Sequence, residues 1–86
     1  MIREYIKAAM KNAHYEIIED DEPYYGEIAE LKGVWASGKT LEECRDNLSE
    51  NLEGWILIRN SQGMDIPTMN GYKVTTPKEM NIAQPT

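Results

Sequence analysis

GVWASGKTLEECRDNLSENLEGWILIR, residues 33–59, is the stretch on which the fold turns. It opens as a short apolar run, Val34-Trp35-Ala36, suited to a strand, and turns at Ser37-Gly38-Lys39. Thr40 then suits an N-cap, because its hydroxyl can accept from a free amide of the first turn. Glu43, three residues on, can reach back to complete a capping box. Leu41, Cys44, Leu48, Leu52, Trp55 and Ile56 recur at the spacing of one helix face, which predicts a long amphipathic helix over 40–59. The rest of the chain is expected to cover that face.

The same residues match a second pattern. Gly33-Val-Trp-Ala-Ser-Gly38-Lys39-Thr40 satisfies the phosphate-loop spacing G-x-x-x-x-G-K-[ST], with a helix following. In a phosphate loop, backbone amides wrap the phosphates, the lysine reaches the outer ones and the threonine holds magnesium. Here the four middle residues read as strand, and Trp35 is bulky for a phosphate cradle. No apolar strand ending in Asp follows Arg59 to hold the metal. Nucleotide binding through this stretch is therefore the weaker reading.

At 86 residues the chain is sized for one domain, which buries only about 60–65% of its unfolded surface and gains from self-association. Its 41% hydrophobic and 28% charged residues are globular in balance. Fifteen acids against nine bases give a net charge of −6, which argues against direct nucleic-acid binding and for a basic protein partner. The single Cys44 falls on the apolar helix face, where it reads as a small buried hydrophobe suited to a reducing compartment. No apolar run approaches the ~20 residues of a membrane span, and the N-terminus lacks the apolar core of a signal peptide. The expected location is the cytoplasm, without membrane contact.

In chain order, residues 1–13 carry Ile2, Tyr5, Ile6, Ala9, Met10 and Ala13 at helical spacing. His14–Glu19 and Tyr24–Ala29 read as two strands of a hairpin, joined by the polar turn Asp20-Asp21-Glu22-Pro23. Glu30-Leu31-Lys32-Gly33 leads to the third strand at 34–36, and 14–36 forms a meander. Leu57 and Ile58 widen the apolar arc of the long helix toward a second packed surface. Asn60, Ser61, Gln62 and Gly63 end that helix, and a short fourth strand is expected over 71–76. The expected architecture is α+β: an N-terminal helix and a three-stranded antiparallel meander packed on a long helix. Residues 1–76 form the single domain and 77–86 a flexible tail.

Chemistry is sparse. Glu16, Glu19, Asp20, Asp21 and Glu22 are numerous enough for a metal site, but consecutive acids in a hairpin turn point apart and stay hydrated. His14 is the only histidine and has no Ser or Cys partner arranged for nucleophilic work. No catalytic, cofactor-binding or metal-binding residue is assigned. Partner-binding candidates are the acids Asp20, Asp21 and Glu22 of the turn, Tyr24 beside it, and Glu42, Asp46 and Glu50. The last three, with Glu53, form an acidic stripe along the polar side of the long helix. A charged stripe on an amphipathic helix commonly just faces water; the functional reading is an electrostatic mate for a basic surface. The turn and the stripe are expected to form one acidic side of the molecule. Of Tyr24 and Tyr25, alternation commits one to the apolar face and frees the other as an interface anchor.

The acidic turn, the Tyr24-Tyr-Gly-Glu-Ile28 strand, Leu31–Cys44, a helix ending Trp55-Ile-Leu57 and Gly63-Met-Asp-Ile-Pro67 together resemble the HicB-type antitoxin domain. That family shows a P-x-L-P-G-x-x-x-x-G-x-T-x-x-E-A-like pattern, then a helix and an I-P-x-P element. Gly33, Gly38, Thr40, Leu41, Glu42, Glu43 and Pro67 stand at its positions, and the likeness runs from His14 to Pro67. Departures are Ala29-Glu30-Leu31-Lys32 in place of the flanking prolines, Cys44 for the common Ala, and the N-terminal helix. The resemblance implies a partial ribonuclease-H-like fold without nuclease chemistry. It implies a non-enzymatic domain that blocks a small basic HicA-type toxin that cleaves mRNA, and that self-associates as a dimer or tetramer. The alternative is an orphan homo-oligomeric module with no toxin. Many members add a C-terminal DNA-binding segment; here the residues after Pro67 show neither helical periodicity nor a basic cluster.

Overall fold

The structure, a computed structural model, describes residues 2–72, with Ile2 by its backbone alone. Five elements follow in order: α1 Ile2–Lys11, β1 His14–Ile17, β2 Tyr24–Glu27, β3 Trp35–Gly38 and α2 Leu41–Ser61. The strands form one antiparallel sheet in the order β1-β2-β3, so the chain is an α+β fold built on a meander. Residues 73–76 of the expected fourth strand, and the tail at 77–86, lie outside the described residues.

Register assigns the two faces of the sheet. Tyr15 stands opposite Gly26 and Gly26 opposite Ala36, while Ile17, Tyr24 and Gly38 form the next row. These two rows face the helices; the intervening rows, His14-Glu27-Trp35 and Glu16-Tyr25-Ser37, face away. Beneath the first set lies the core, in which Cys44, Leu48, Leu52 and Ile56 of α2 are buried. Their spacing is one helix face, and each side chain removed from water there contributes about 2 kcal/mol. α1 adds Tyr5, Ala8 and Ala9, where two alanines allow close approach. Ile28, Leu31 and Val34 close the end of the sheet, and the Tyr5 hydroxyl donates to the Pro67 carbonyl.

Several expected boundaries move, each for a local reason. α1 ends at Lys11 rather than Ala13, because residues 12 and 13 are spent in the turn into β1, their amides donating to Ala9 and Met10. β1 and β2 stop at Ile17 and Glu27, two residues short of expectation. β3 spans Trp35–Gly38, not 34–36, so Ser37 and Gly38 belong to the strand and only Lys39-Thr40 turns. Gly38 makes this possible: a Cβ there would stand 2.4 Å from the Cys44 backbone nitrogen, so only glycine lets β3 run flush onto the first turn of α2. Thr40 caps α2 as expected, its hydroxyl accepting from the Glu43 amide at 3.0 Å. The Glu43 carboxylate, however, accepts from the Lys39 amide at 3.1 Å, one residue before the cap. The helix continues to Ser61, with Gln62 at its C-cap and Gly63 in the left-handed region. Leu41 and Trp55 are less enclosed than their place in the apolar spacing implies, Leu41 being half exposed. Leu57 and Ile58 also face solvent rather than α1.

Where the fourth strand is expected to begin, the described chain makes a tight turn. Asn70 and Gly71 both have positive φ, 50° and 87°, inside a bridge between Met69 and Tyr72. This is the Asn-Gly hairpin signal. Asn70 then donates to the Ala8 carbonyl at 3.2 Å, pinning the turn to α1.

Candidate functional site

The sequence-derived candidates divide between the two layers. On the helix layer, Glu42, Asp46 and Glu50 follow one another turn by turn on α2 and are exposed. Asp46 and Glu50 line a shallow recess together with Ser49 and Glu53, so the four acids form a continuous ridge. Helical geometry requires this: residues three and four apart share a face, and Cys44 and Leu48 hold the opposite face against the sheet.

Beside the ridge, α1 and α2 diverge and leave an open groove of about 930 Å³. Ile6, Met10, Tyr15 and Leu41 give it an apolar lining, with Lys7 and Lys11 on the α1 side and Glu42, Arg45 and Asp46 on the α2 side. Tyr15 is only partly enclosed; burial pushes its phenol up, against an opposing pull from Arg45. The groove combines an apolar floor with charged lips, basic along α1 and mixed along α2, a form that receives an amphipathic segment.

The acidic turn does not line that groove. The Asp20 carboxylate accepts from the Glu22 amide at 3.1 Å, which makes it a turn-former. Glu22 accepts from the Ser37 hydroxyl at 2.7 Å, and Ser37 projects from the sheet face turned away from α2. Glu22 is thus tied to the sheet rather than to the ridge on α2. Tyr24 falls on the helix-facing row and is half-buried, so the tyrosine on the open face is Tyr25. Tyr25 stacks on Trp35 with ring centroids 6.1 Å apart, and its hydroxyl donates to Glu27 at 3.0 Å. Desolvation and the Glu27 carboxylate push the Tyr25 phenol up. Trp35 is 54% exposed, which leaves an aromatic patch on the open face of the sheet.

The residues matching a phosphate loop have other work. Trp35–Gly38 is paired antiparallel to β2, and Gly38 is pressed on the helix backbone, so no open cradle of amides exists there. Cys44 is fully buried, its thiol 3.7 Å from the Ala36 carbonyl and pushed up by burial and by Glu22, so it is a poor nucleophile. Among the described residues no three His, Cys, Asp or Glu side chains are grouped to hold a metal ion. No helix there is long and apolar enough to cross a membrane.

Two polar side chains passed over in the sequence matter more to the sheet. Asn47 donates to the Ser37 carbonyl at 2.9 Å and Asn51 to the Trp35 carbonyl at 2.8 Å. Four residues of helix rise about 6 Å and two residues of strand about 6.7 Å, so one asparagine per turn meets every second carbonyl of β3. The signal was Asn47-x-x-x-Asn51, in helical phase with Cys44 and Leu48 but at the flank of the apolar arc.

Comparison with known proteins gives a family and similar solved structures. The model of the UPF0150-like family matches residues 4–67. The structure is similar to the crystal structure of TTHA0281 from Thermus thermophilus, with a TM-score of 0.82 and 46% sequence identity. That likeness covers 85% of this chain and 96% of the other. No curated protein matches the sequence.

Proposed function

The chain belongs to the UPF0150-like family, and on that premise we propose that it is a non-enzymatic protein-interaction module of the HicB antitoxin type. It holds and neutralises a small basic HicA-type toxin that cleaves mRNA, and it does so in the cytoplasm. The observation that carries the reading is the ridge of Glu42, Asp46, Glu50 and Glu53 on α2, of which Glu42 and Asp46 line the groove between α1 and α2. On a chain of net charge −6, such a ridge draws a basic partner in and sets its orientation, while the apolar floor supplies contact. The residues quoted above for the HicB resemblance support the same reading. Direct nucleic-acid binding is not part of it, since a phosphate backbone is repelled by this surface.

The test is affinity purification of the full chain from its native host with mass spectrometry of what co-elutes. A small basic protein in stoichiometric amount is expected. The triple variant Glu42→Lys/Asp46→Lys/Glu50→Lys should then slow its association about tenfold or more at low salt. Unchanged association rates would reject the ridge as the contact. A second reading, a self-associating module with no toxin, is favoured by the outer edge of β1, which pairs with no other strand among the described residues; a clean homo-oligomer with nothing attached would select it. Self-association, as dimer or tetramer, belongs to both readings.

A further inference from the structure

The hydrogen-bond phase of β1 says which of its groups face outward. The Ile18 amide donates to the Pro23 carbonyl at 2.8 Å, extending the β1–β2 ladder by one pair. In an antiparallel ladder bonded and non-bonded pairs alternate, so Glu16 and His14 also bond inward, and Tyr15 and Ile17 turn N–H and C=O to the free edge. Among the described residues nothing meets them. On the other edge the outward carbonyls of Trp35 and Ser37 are taken by Asn51 and Asn47.

An open edge is ordinarily blunted by lysine, proline or a bulge. The four-residue strand His14-Tyr15-Glu16-Ile17 is short and carries one charge, Glu16, but it has no lysine, proline or bulge, and Ile17 is 74% exposed, the most exposed of the large apolar residues described. The flanks of the strand carry opposite charge: Lys11 precedes it, while Glu19, Asp20 and Asp21 follow it. Antiparallel pairing of two copies sets each flank beside its opposite, whereas parallel pairing sets like beside like. An edge of this kind is complementary to itself about a two-fold axis.

We propose that the occupant of this edge is a second copy of the chain, joined β1 to β1 in an antiparallel six-stranded sheet. The axis runs through Ile17. There Ile17 of each copy faces the other in a bonded pair, and Tyr15 faces Glu19 of the second copy. An axis through Glu16 would instead set two carboxylates opposite each other in a non-bonded pair, where side chains are closest. The proposal rests on the self-association named above and needs no toxin.

The experiment measures the mass of the full chain by light scattering at high micromolar concentration, with circular dichroism and thermal melting as controls. Wild type should run at twice the 9.9 kDa of one chain. Ile17→Pro deletes an outward amide and no bond to β2, so it should halve the mass with the spectrum unchanged. Ile17→Lys and Ile17→Glu each set like charges across the axis and should be monomeric alone. Mixed, they should return to the dimer mass, and this arm decides the matter even if the proline variant fails to fold. A mixture that stays monomeric overturns the axis. An oligomer indifferent to Ile17→Pro overturns the edge while leaving self-association standing. A monomeric wild type overturns the second copy as occupant, and self-association with it.

Discussion

β3 and β1 bound the same three-stranded sheet, yet only β3 has its outward carbonyls met, Trp35 by Asn51 and Ser37 by Asn47. Tyr15 and Ile17 of β1 face outward with nothing described against them. The difference follows from where α2 lies. It leaves β3 after a two-residue turn and packs far more on β3 than on β2, so its flank reaches one edge and not the other. A helix can thus stand in for a strand when amide side chains recur every turn. Among the described residues this covers the carbonyls of one edge without a fourth strand.

The comparison breaks most severely at the glycine that brings α2 onto β3. Gly38→Ala drives a Cβ to 2.4 Å from the Cys44 nitrogen and 2.8 Å from its Cα, backbone atoms that move only with the helix. The cost should approach about 3 kcal/mol, the upper range for overpacking. Gly26→Ala, in the middle strand, meets the Tyr15 ring at 2.8 Å and the Cys44 sulfur at 3.3 Å. Those are side chains, and a ring beside an open groove can tilt, so about 1 kcal/mol is expected. Urea midpoints of the two variants check the order. Equal losses would mean that β3 and α2 can separate freely, and that the covered edge is not built on Gly38.

That glycine also marks the limit of what could be read in advance. The elements and their order were legible because Cys44, Leu48, Leu52 and Ile56 keep one helical phase and Thr40 caps it. The strand at 35–38 was cut short because Ser-Gly-Lys resembles a turn; only packing against Cys44 shows why glycine is needed inside a strand. Asn70-Gly71 was a readable turn signal, although what it grips, the Ala8 carbonyl, is 62 residues away. The candidate site was legible in part. Helical spacing alone places Glu42, Asp46 and Glu50 on one ridge, whereas the direction of Glu22 depends on the Ser37 hydroxyl. The choice between Tyr24 and Tyr25 depends on a register that no local pattern supplies.

The next effect in size concerns the asparagines themselves. Asn47→Ala leaves the half-buried Ser37 carbonyl to imperfect hydration and should cost about 1 kcal/mol; Asn51→Ala, at an exposed position, should cost less. The informative variant is the double one. With both removed, β3 presents an unblocked edge, and if two asparagines are what closes it, the double variant should form larger assemblies than wild type at equal concentration. A double variant that is merely less stable, with unchanged mass by light scattering, would show that the helix backbone alone shields β3.

The smallest effect probes the layer beneath the two edges. Cys44 lies fully buried under β3 and touches the Ala36 carbonyl, while Tyr15 lies partly open under β1. Both acids are pushed up by burial, Cys44 from the usual 9.0 and Tyr15 from 10.0. A raised value in the fold means that the native chain keeps the proton where the unfolded chain has begun to lose it. Stability from this source is intact below the unfolded value and falls as pH rises beyond it. The thiol acts first, so between pH 9.0 and 10.0 the urea midpoint should decline in wild type and decline less in Cys44→Ala. Cys44→Ala itself lowers the midpoint at neutral pH by removing a buried sulfur, and the slope carries the information rather than the offset. Parallel slopes would mean that water reaches Cys44 in the native state, so that the seam between β3 and α2 is no tighter than the open side of the sheet.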